Sequence, residues 1–243
     1  TSGARALASA ARLLKLGVCD AVLCGGVDSL SLLTINGFAS LEVVSGRVAR
    51  PFAADRDGIN IGEAAAVFLM TRAPMPDFPE GEPIGLLGYG ASSDAWHMSS
   101  PRPDGEGAMQ AIQAALQGAG LSAGDLGWIN LHGTGTAQND AMESLAVVQT
   151  LGVDVPGTST KPHTGHTLGA AGALEAAIVW GFVSRQLNPS GALPAQGNER
   201  DPSLAPLRLT RPGDCWPSGP RLGLSTSFAF GGNNMALIIG DTA

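Results

Sequence analysis

The sequence predicts an α/β protein. Short apolar stretches alternate with helical ones from one end of the 243 residues to the other, the pattern of stacked α and β layers. The chain is rich in Gly and Ala and only 14% charged, as expected where much of the surface is hidden in a core or against a partner. Residues 165–186 are so apolar and small that they predict a helix buried between two layers.

Residues 6–16, Ala-rich with Leu13, Leu14 and Leu16 near one face, predict a helix ended by Gly17. Residues 20–24 predict a short strand stopped by Gly25-Gly26, and 31–40 a weaker helix. Residues 47–62 read as a loop holding a dense cluster of Arg47, Arg50, Asp55, Arg56 and Asp57. A fully apolar strand follows over 63–70. The Pro/Gly/acid turn at 77–81 is the best linker candidate and divides the chain into residues 1–76 and 82–243. Beyond it lie a glycine-interrupted strand (84–91), an irregular loop with His97 (92–105), and an amphipathic helix (107–118). A buried strand (128–131) leads to a helix over 140–151, which Asn139 or Asp140 is placed to cap. Strands over 222–227 and 235–239, joined by 228–234, close the chain.

An apolar content of 44% is ample for a core, in one large domain or two modest ones. A net charge of −7 argues against non-specific nucleic-acid binding, which needs an excess of Lys and Arg. No apolar run approaches the ~20 residues of a membrane span. Three cysteines, Cys19, Cys24 and Cys215, are odd in number and lack zinc spacing, which fits a reducing cytoplasm better than a disulfide framework. The chain has no initiator Met and opens on Thr1-Ser2-Gly3 in mid-helix style, as a fragment or processed chain would.

Two segments point to chemistry on a carbonyl. One is His132-Gly133-Thr134-Gly135-Thr136, directly after a buried strand, where ligands gather in α/β folds. The other is 161–172, with Lys161, His163 and His166. Glycines let a substrate approach the backbone, and histidine donates or accepts a proton near neutral pH. His163 and His166, three apart, could share a metal, but no Asp, Glu or Cys lies nearby in sequence to complete a ligand set. Lys161 beside His166 would favour the neutral imidazole. Asp140 and Glu143 share a helix face; a capping and dipole role is preferred over a glycosidase-like acid pair. The glycines of 228–234 either free N–H groups for an oxyanion or form a simple hairpin. Residues 85–90 only loosely follow a dinucleotide loop, and Cys19 and Cys24 read as structural free thiols.

Taken together, these residues resemble the β-ketoacyl-acyl-carrier-protein synthases of the type I/II condensing enzymes. The matching stretches are Gly25-Gly26-Val27-Asp28, Arg50-Pro51-Phe52 with Arg56-Asp57-Gly58, and Gly62-Glu63-Ala64. Others are 132–136 with Asn139-Asp140, Lys161 with Gly165-His166-Thr167 and 169–172, and Phe228 with Phe230-Gly231-Gly232, all in the family's order. Residues 27–30 and 92–95 look most like synthases of the aryl-polyene type.

The resemblance implies a thiolase-like α-β-α-β-α layered fold, with residues 1–76 as the end of the N-terminal half and 82–243 as the C-terminal half. It implies a 3-oxoacyl-ACP synthase, an acyltransferase that joins an acyl thioester to malonyl-ACP by decarboxylative Claisen condensation in fatty-acid or polyketide-like elongation. By the same resemblance His132 and His166 would stabilise the malonyl thioester oxygen, and Lys161 would tune and position His166. Thr134 and Thr136 would bind the pantetheine arm. Phe230 would gate the pocket and lend its N–H to the oxyanion hole. Asp140 and Glu143 would stand behind Lys161 and His132. No metal or cofactor is implied. The partners would be an acidic acyl carrier protein and a second ketoacyl synthase subunit, in a cytoplasmic homodimer or heterodimer.

Three departures accompany the match. The family's nucleophilic Cys precedes a pair like Thr1-Ser2, so it is expected two residues before Thr1, and the chain alone is expected to be inactive. Ala229 stands where Gly is usual, and Asn233 where Thr is. The rival readings are a non-catalytic chain-length partner, which would need none of His132, Lys161 and His166, and a thiolase- or hydrolase-like enzyme using coenzyme A.

Overall fold

The structure is a computed structural model that describes residues 1–72 and 84–241. The candidate linker at 77–81 lies outside these residues. The described chain forms four successive layers.

The first layer is α3 (Glu106–Ala119) with α4 (Ala137–Leu151). The second is a five-stranded sheet of β3 (Ile84–Ser93), β4 (Trp128–Asn130), β5 (Gly157–Thr158), β6 (Leu222–Ala229) and β7 (Asn233–Asp241), in the order β3-β7-β6-β4-β5. Both ladders of β7 are antiparallel, whereas β4 runs parallel to β5 and β6. The third layer is α1 (Ser2–Lys15) with α6 (Ala171–Val183). The fourth is an antiparallel pair, β1 (Ala21–Asp28) and β2 (Ala64–Thr71).

The period of two in β7 builds both cores. Ala236 and Ile238 join Ile112, Ala146 and Leu224 on the α3/α4 side. Met235, Leu237 and Ile239 join Leu7, Ala176 and Val179 on the α1/α6 side. In β4 the same alternation sends Ile129 to one core and Trp128 to the other. The helices α1 and α6 cross where Gly3 meets Ala173 and Gly172 meets Ala4. A Cβ on either glycine would stand 2.7 Å from a backbone nitrogen of the other helix. Burying α6 therefore depends on small residues as much as on apolar ones.

Several predicted elements move. β1 does not stop at Gly25-Gly26 but runs through to Asp28, because its ladder with β2 continues across the glycines. α4 begins at Ala137, three residues before the predicted start, and its N-cap is Thr136 rather than Asn139 or Asp140. The predicted helix over 165–186 is shorter. Lys161–Thr164 forms a separate turn of helix, α5, Gly165 has φ +68°, and a 3₁₀ turn at 168–170 precedes α6. The predicted helix over 31–40 appears as α2 (Leu32–Ser40), capped by Ser31, whose hydroxyl accepts from Thr34 N at 3.2 Å. In the loop before β2, Arg47 and Arg50 pair with Asp55, and Arg56 with Asp201 at 2.7 Å. No helix among the described residues is long and apolar enough to cross a membrane.

Candidate active site

The carboxyl ends of β4 and β6 open on a cavity of about 680 Å³. His132, two residues past β4, is only 3% exposed and lines it. The loop that carries it hangs on two carboxylates of α4. Glu143 accepts from His132 N and Gly133 N, each at 2.7 Å, and from the Thr226 hydroxyl at 2.8 Å. Asp140 accepts from Gly135 N at 3.2 Å and from Phe52 N at 2.7 Å. Gly133 has φ +34° and lies against Ser159 and Phe52, leaving no room for a side chain. Burial pushes Glu143 up to about 7 and Asp140 up to about 6, against the N–H donors that favour the carboxylate. Neither carboxylate meets Lys161; Glu143 stands behind the His132 backbone, and Asp140 behind Gly135 and Phe52. Both anchor loops, and Asp140 lies in the first turn of α4 without being its N-cap.

The group that meets Lys161 is Glu175, on α6, at 2.5 Å, with both side chains 2% exposed. Sequence reading passed over Glu175, although it is the sole charged residue of α6 and a lone buried carboxylate needs a partner. The Lys161 ammonium also reaches the His132 carbonyl and stands 3.3 Å from His132 Nδ1. Lys161 therefore contacts His132 rather than His166, while its charge acts on both rings.

His166 is brought to the same cavity by a bridge to the loop before β2. His166 N donates to Asn60 O at 2.6 Å, and Gly62 N donates to His166 O at 3.1 Å. The two imidazoles meet edge to face, centroids 5.2 Å apart at 84°. Burial, then the Lys161 cation, holds both well below the ordinary histidine range. At His132 this outweighs the Phe228 backbone, which favours the charged ring. His132 Nδ1 faces the ammonium, and His166 Nδ1 accepts from Leu168 N at 3.4 Å. An accepting Nδ1 places the proton of each neutral ring on Nε2.

Thr134 and Thr136 line the cavity and share a hydrogen bond of 2.9 Å between their hydroxyls. Phe230, in the turn between β6 and β7, is half exposed and stacks on Phe38 of α2, centroids 5.7 Å apart. That turn is tied to the loop after β3: Gly231 N donates to Met98 O at 2.7 Å and Asp94 N to Gly232 O at 2.8 Å. Among the described residues no cysteine lines the cavity, and burial pushes the Cys24 thiol up. His163 is exposed and stands outside the cavity. Among the described residues no three His, Cys, Asp or Glu side chains group as a metal site would require. The glycines of 85–90 lie inside β3, not in a strand-to-helix turn.

The chain matches the family descriptions "Beta-ketoacyl synthase, N-terminal domain" over residues 1–74 and "Beta-ketoacyl synthase, C-terminal domain" over 85–191. It is 34% identical to a 3-oxoacyl-[acyl-carrier-protein] synthase 2 of Synechocystis and 35% identical to one of Rhizobium meliloti, over 97% and 98% of its own length. It spans about 58% of the length of each. Among solved structures it superposes with a TM-score of 0.89 on a chain of the complex of a ketosynthase with its chain length factor from Xenorhabdus doucetiae. The two are 47% identical, over 99% of this chain and 58% of that one. A beta-ketoacyl synthase from Burkholderia phymatum superposes at 0.87 with 32% identity, over 100% of this chain and 60% of that one. The layered fold is therefore thiolase-like, and the chain belongs to the beta-ketoacyl synthase family.

Proposed function

We propose that this chain supplies the carbonyl-stabilising half of a 3-oxoacyl-ACP synthase site, for decarboxylative condensation of an acyl thioester with malonyl-ACP. The observation that carries the reading is the pair of imidazoles set edge to face in the cavity, each held well below the ordinary histidine range and each with its Nδ1 toward a donor. When the malonyl group loses CO2, negative charge develops on the thioester oxygen. Neutral N–H donors stabilise that oxygen without protonating the carbanion, which stays free to attack the acyl thioester and expel a thiolate. Lys161 and Glu175 fix the His132 ring, and Glu143 fixes the backbone that carries it. Thr134 and Thr136 take the pantetheine arm, and Phe230 gates the cavity and lends its N–H to the second oxyanion. An acyl carrier protein and a ketosynthase or chain-length subunit are the partners; similar structures are of a ketosynthase with its chain length factor and of a ketosynthase with an acyl-carrier protein.

In the whole protein, His132→Ala and His166→Ala are each expected to cut condensation by about 10²–10³-fold. Product formation from malonyl-ACP measures this, and near-wild-type turnover in either variant sinks the assignment.

The nucleophile belongs next to the start of α1, where Thr1 and Ser2 line the cavity. None of Cys19, Cys24 and Cys215 lines the cavity among the described residues, so this chain alone is expected to be inactive. Incubation of this chain with acyl-ACP followed by intact-mass spectrometry is expected to show no acyl adduct; a stoichiometric adduct on Cys19 or Cys24 overturns it. A non-catalytic chain-length partner is the other reading. It would need the cavity's shape but not a buried Lys–Glu pair beside two imidazoles.

A further inference from the structure

A second cavity, of about 770 Å³, lies beside the edge strand β5 and shares no lining residue with the first. The chain after Leu207 runs along β5: Gly157 N donates to Arg208 O at 2.9 Å, and Thr210 N to Gly157 O at 3.0 Å. This segment, residues 196–200 and Arg50 line the cavity. Four arginines stand there, Arg50, Arg200, Arg208 and Arg211, against two acids, Glu199 and Asp214. The whole chain holds only 14 Lys and Arg and has a net charge of −7, so this concentration of cations runs against its overall charge.

The guanidinium groups are held but not used up. Arg200 donates from Nη1 to Asp201 O at 2.8 Å and to Leu204 O at 2.6 Å, which leaves its Nε and Nη2 without a partner among the described residues. The Arg211 side chain has no partner among the described residues; its backbone N donates to Asp214 at 2.9 Å. Arg208 is steadied by Asp154 O at 3.0 Å and by Asp214 at 3.3 Å, and Arg50 by Asp55 at 2.5 Å. Asp214 is thus already engaged, and Glu199 is exposed and pairs with none of the four. The buried part of the lining is fixed as well. Gln196 and Thr210 are 7% and 1% exposed. Gln196 Oε1 accepts from Ser159 N at 2.9 Å, and the Thr210 hydroxyl donates to Pro194 O at 2.6 Å. A ligand here meets donors already in place, which lowers the entropy lost on binding.

We propose that this cavity binds a small molecule carrying two or more phosphate groups. The planar arginine fork matches phosphate oxygens with paired N–H bonds, and its charge does not titrate. A volume of about 770 Å³ suits a drug-sized ligand rather than a single small anion. The arginines come from three segments, residue 50, residue 200 and residues 208–211, so one phosphate cannot engage them all. The site is independent of the condensing chemistry, since the two cavities have no residue in common.

The test is isothermal titration calorimetry of the whole protein with pyrophosphate, at an ionic strength held constant with sodium chloride. Pyrophosphate is expected to bind saturably, one per chain, and about tenfold or more tighter than orthophosphate, because it engages more of the arginines. Arg200→Gln and Arg211→Gln are each expected to weaken it by about tenfold or more, the range of one charged hydrogen bond. Melting curves show that both variants fold. Arg12→Gln removes the same charge from the exposed face of α1 and is expected to leave the affinity within about twofold of wild type, since a surface charge outside the site is screened by salt. Absence of saturable binding, equal affinity for pyrophosphate and orthophosphate, or an equal loss in all three variants overturns the proposal. So does binding undiminished in both Arg200→Gln and Arg211→Gln.

Discussion

Glu143 concentrates the electrostatics of the site in one side chain. It is fully buried and accepts from two backbone N–H groups and one hydroxyl, yet burial still pushes it up to about 7. Its folded value thus lies above the ordinary carboxylate value that it has in the unfolded chain. The sign follows from linkage: stability from this group is fully present below about 4.5 and is lost as pH rises through about 7. The two histidines, depressed in the fold, act the other way, losing stability as pH falls from their unfolded value. The contribution of Glu143 is therefore read as a difference. Wild type and Glu143→Gln, compared by urea unfolding between pH 4.5 and 8, should differ by an amount that changes by roughly 3 kcal/mol across the window. Wild type should lose ground as pH rises. A difference that stays constant with pH would show that Glu143 keeps its ordinary carboxylate value in the fold.

At the scale of elements, what was legible in the sequence is what depends on local pattern. Alternating layers, the apolar strand before β2's end, the amphipathic α3 and the His132 loop after a buried strand all follow from periodicity and turn residues. What failed depends on distant partners. Gly25-Gly26 reads as a stop, but a neighbouring strand from 64–71 carries β1 through it. At Gly26 a Cβ would come within 3.2 Å of Ala170, so the glycine marks close approach rather than a turn. Residues 165–167 look helical by composition, yet the His166 backbone is claimed by Asn60 and Gly62, a hundred residues away. Asn139 and Asp140 look like caps because they precede an apolar run; Asp140 is instead drawn inward by Gly135 and Phe52. The Lys161–Glu175 pair spans α5 and α6, so only the solitude of Glu175 in an apolar helix could have announced it.

For the molecule as a whole, among the described residues the fourth layer is covered on one side only. Cys24, Ala66, Phe68 and Met70 face α1 and α6. On the other side Leu23 and Val27 of β1 and Val67 and Leu69 of β2 are at least half exposed, and the register sets Leu23 directly opposite Leu69. On α2, Leu32 and Leu33 are also bare, 77% and 84% exposed. A contiguous apolar face of this kind drives association in water, and a net charge of −7 over 243 residues does little to oppose it locally, since β1 and β2 carry only Asp28. The 243 residues by themselves are expected to self-associate at micromolar concentration. Sedimentation velocity should resolve dimers or larger species, and the double variant Leu23→Lys, Leu69→Lys should shift the population toward monomer, because two opposed cations on this face would have to be desolvated together. A wild-type chain that sediments as a monomer throughout the micromolar range would mean that the face is too small or too well hydrated to pair. Association undiminished in the double variant would place the contact elsewhere, with α2 the next apolar surface to change.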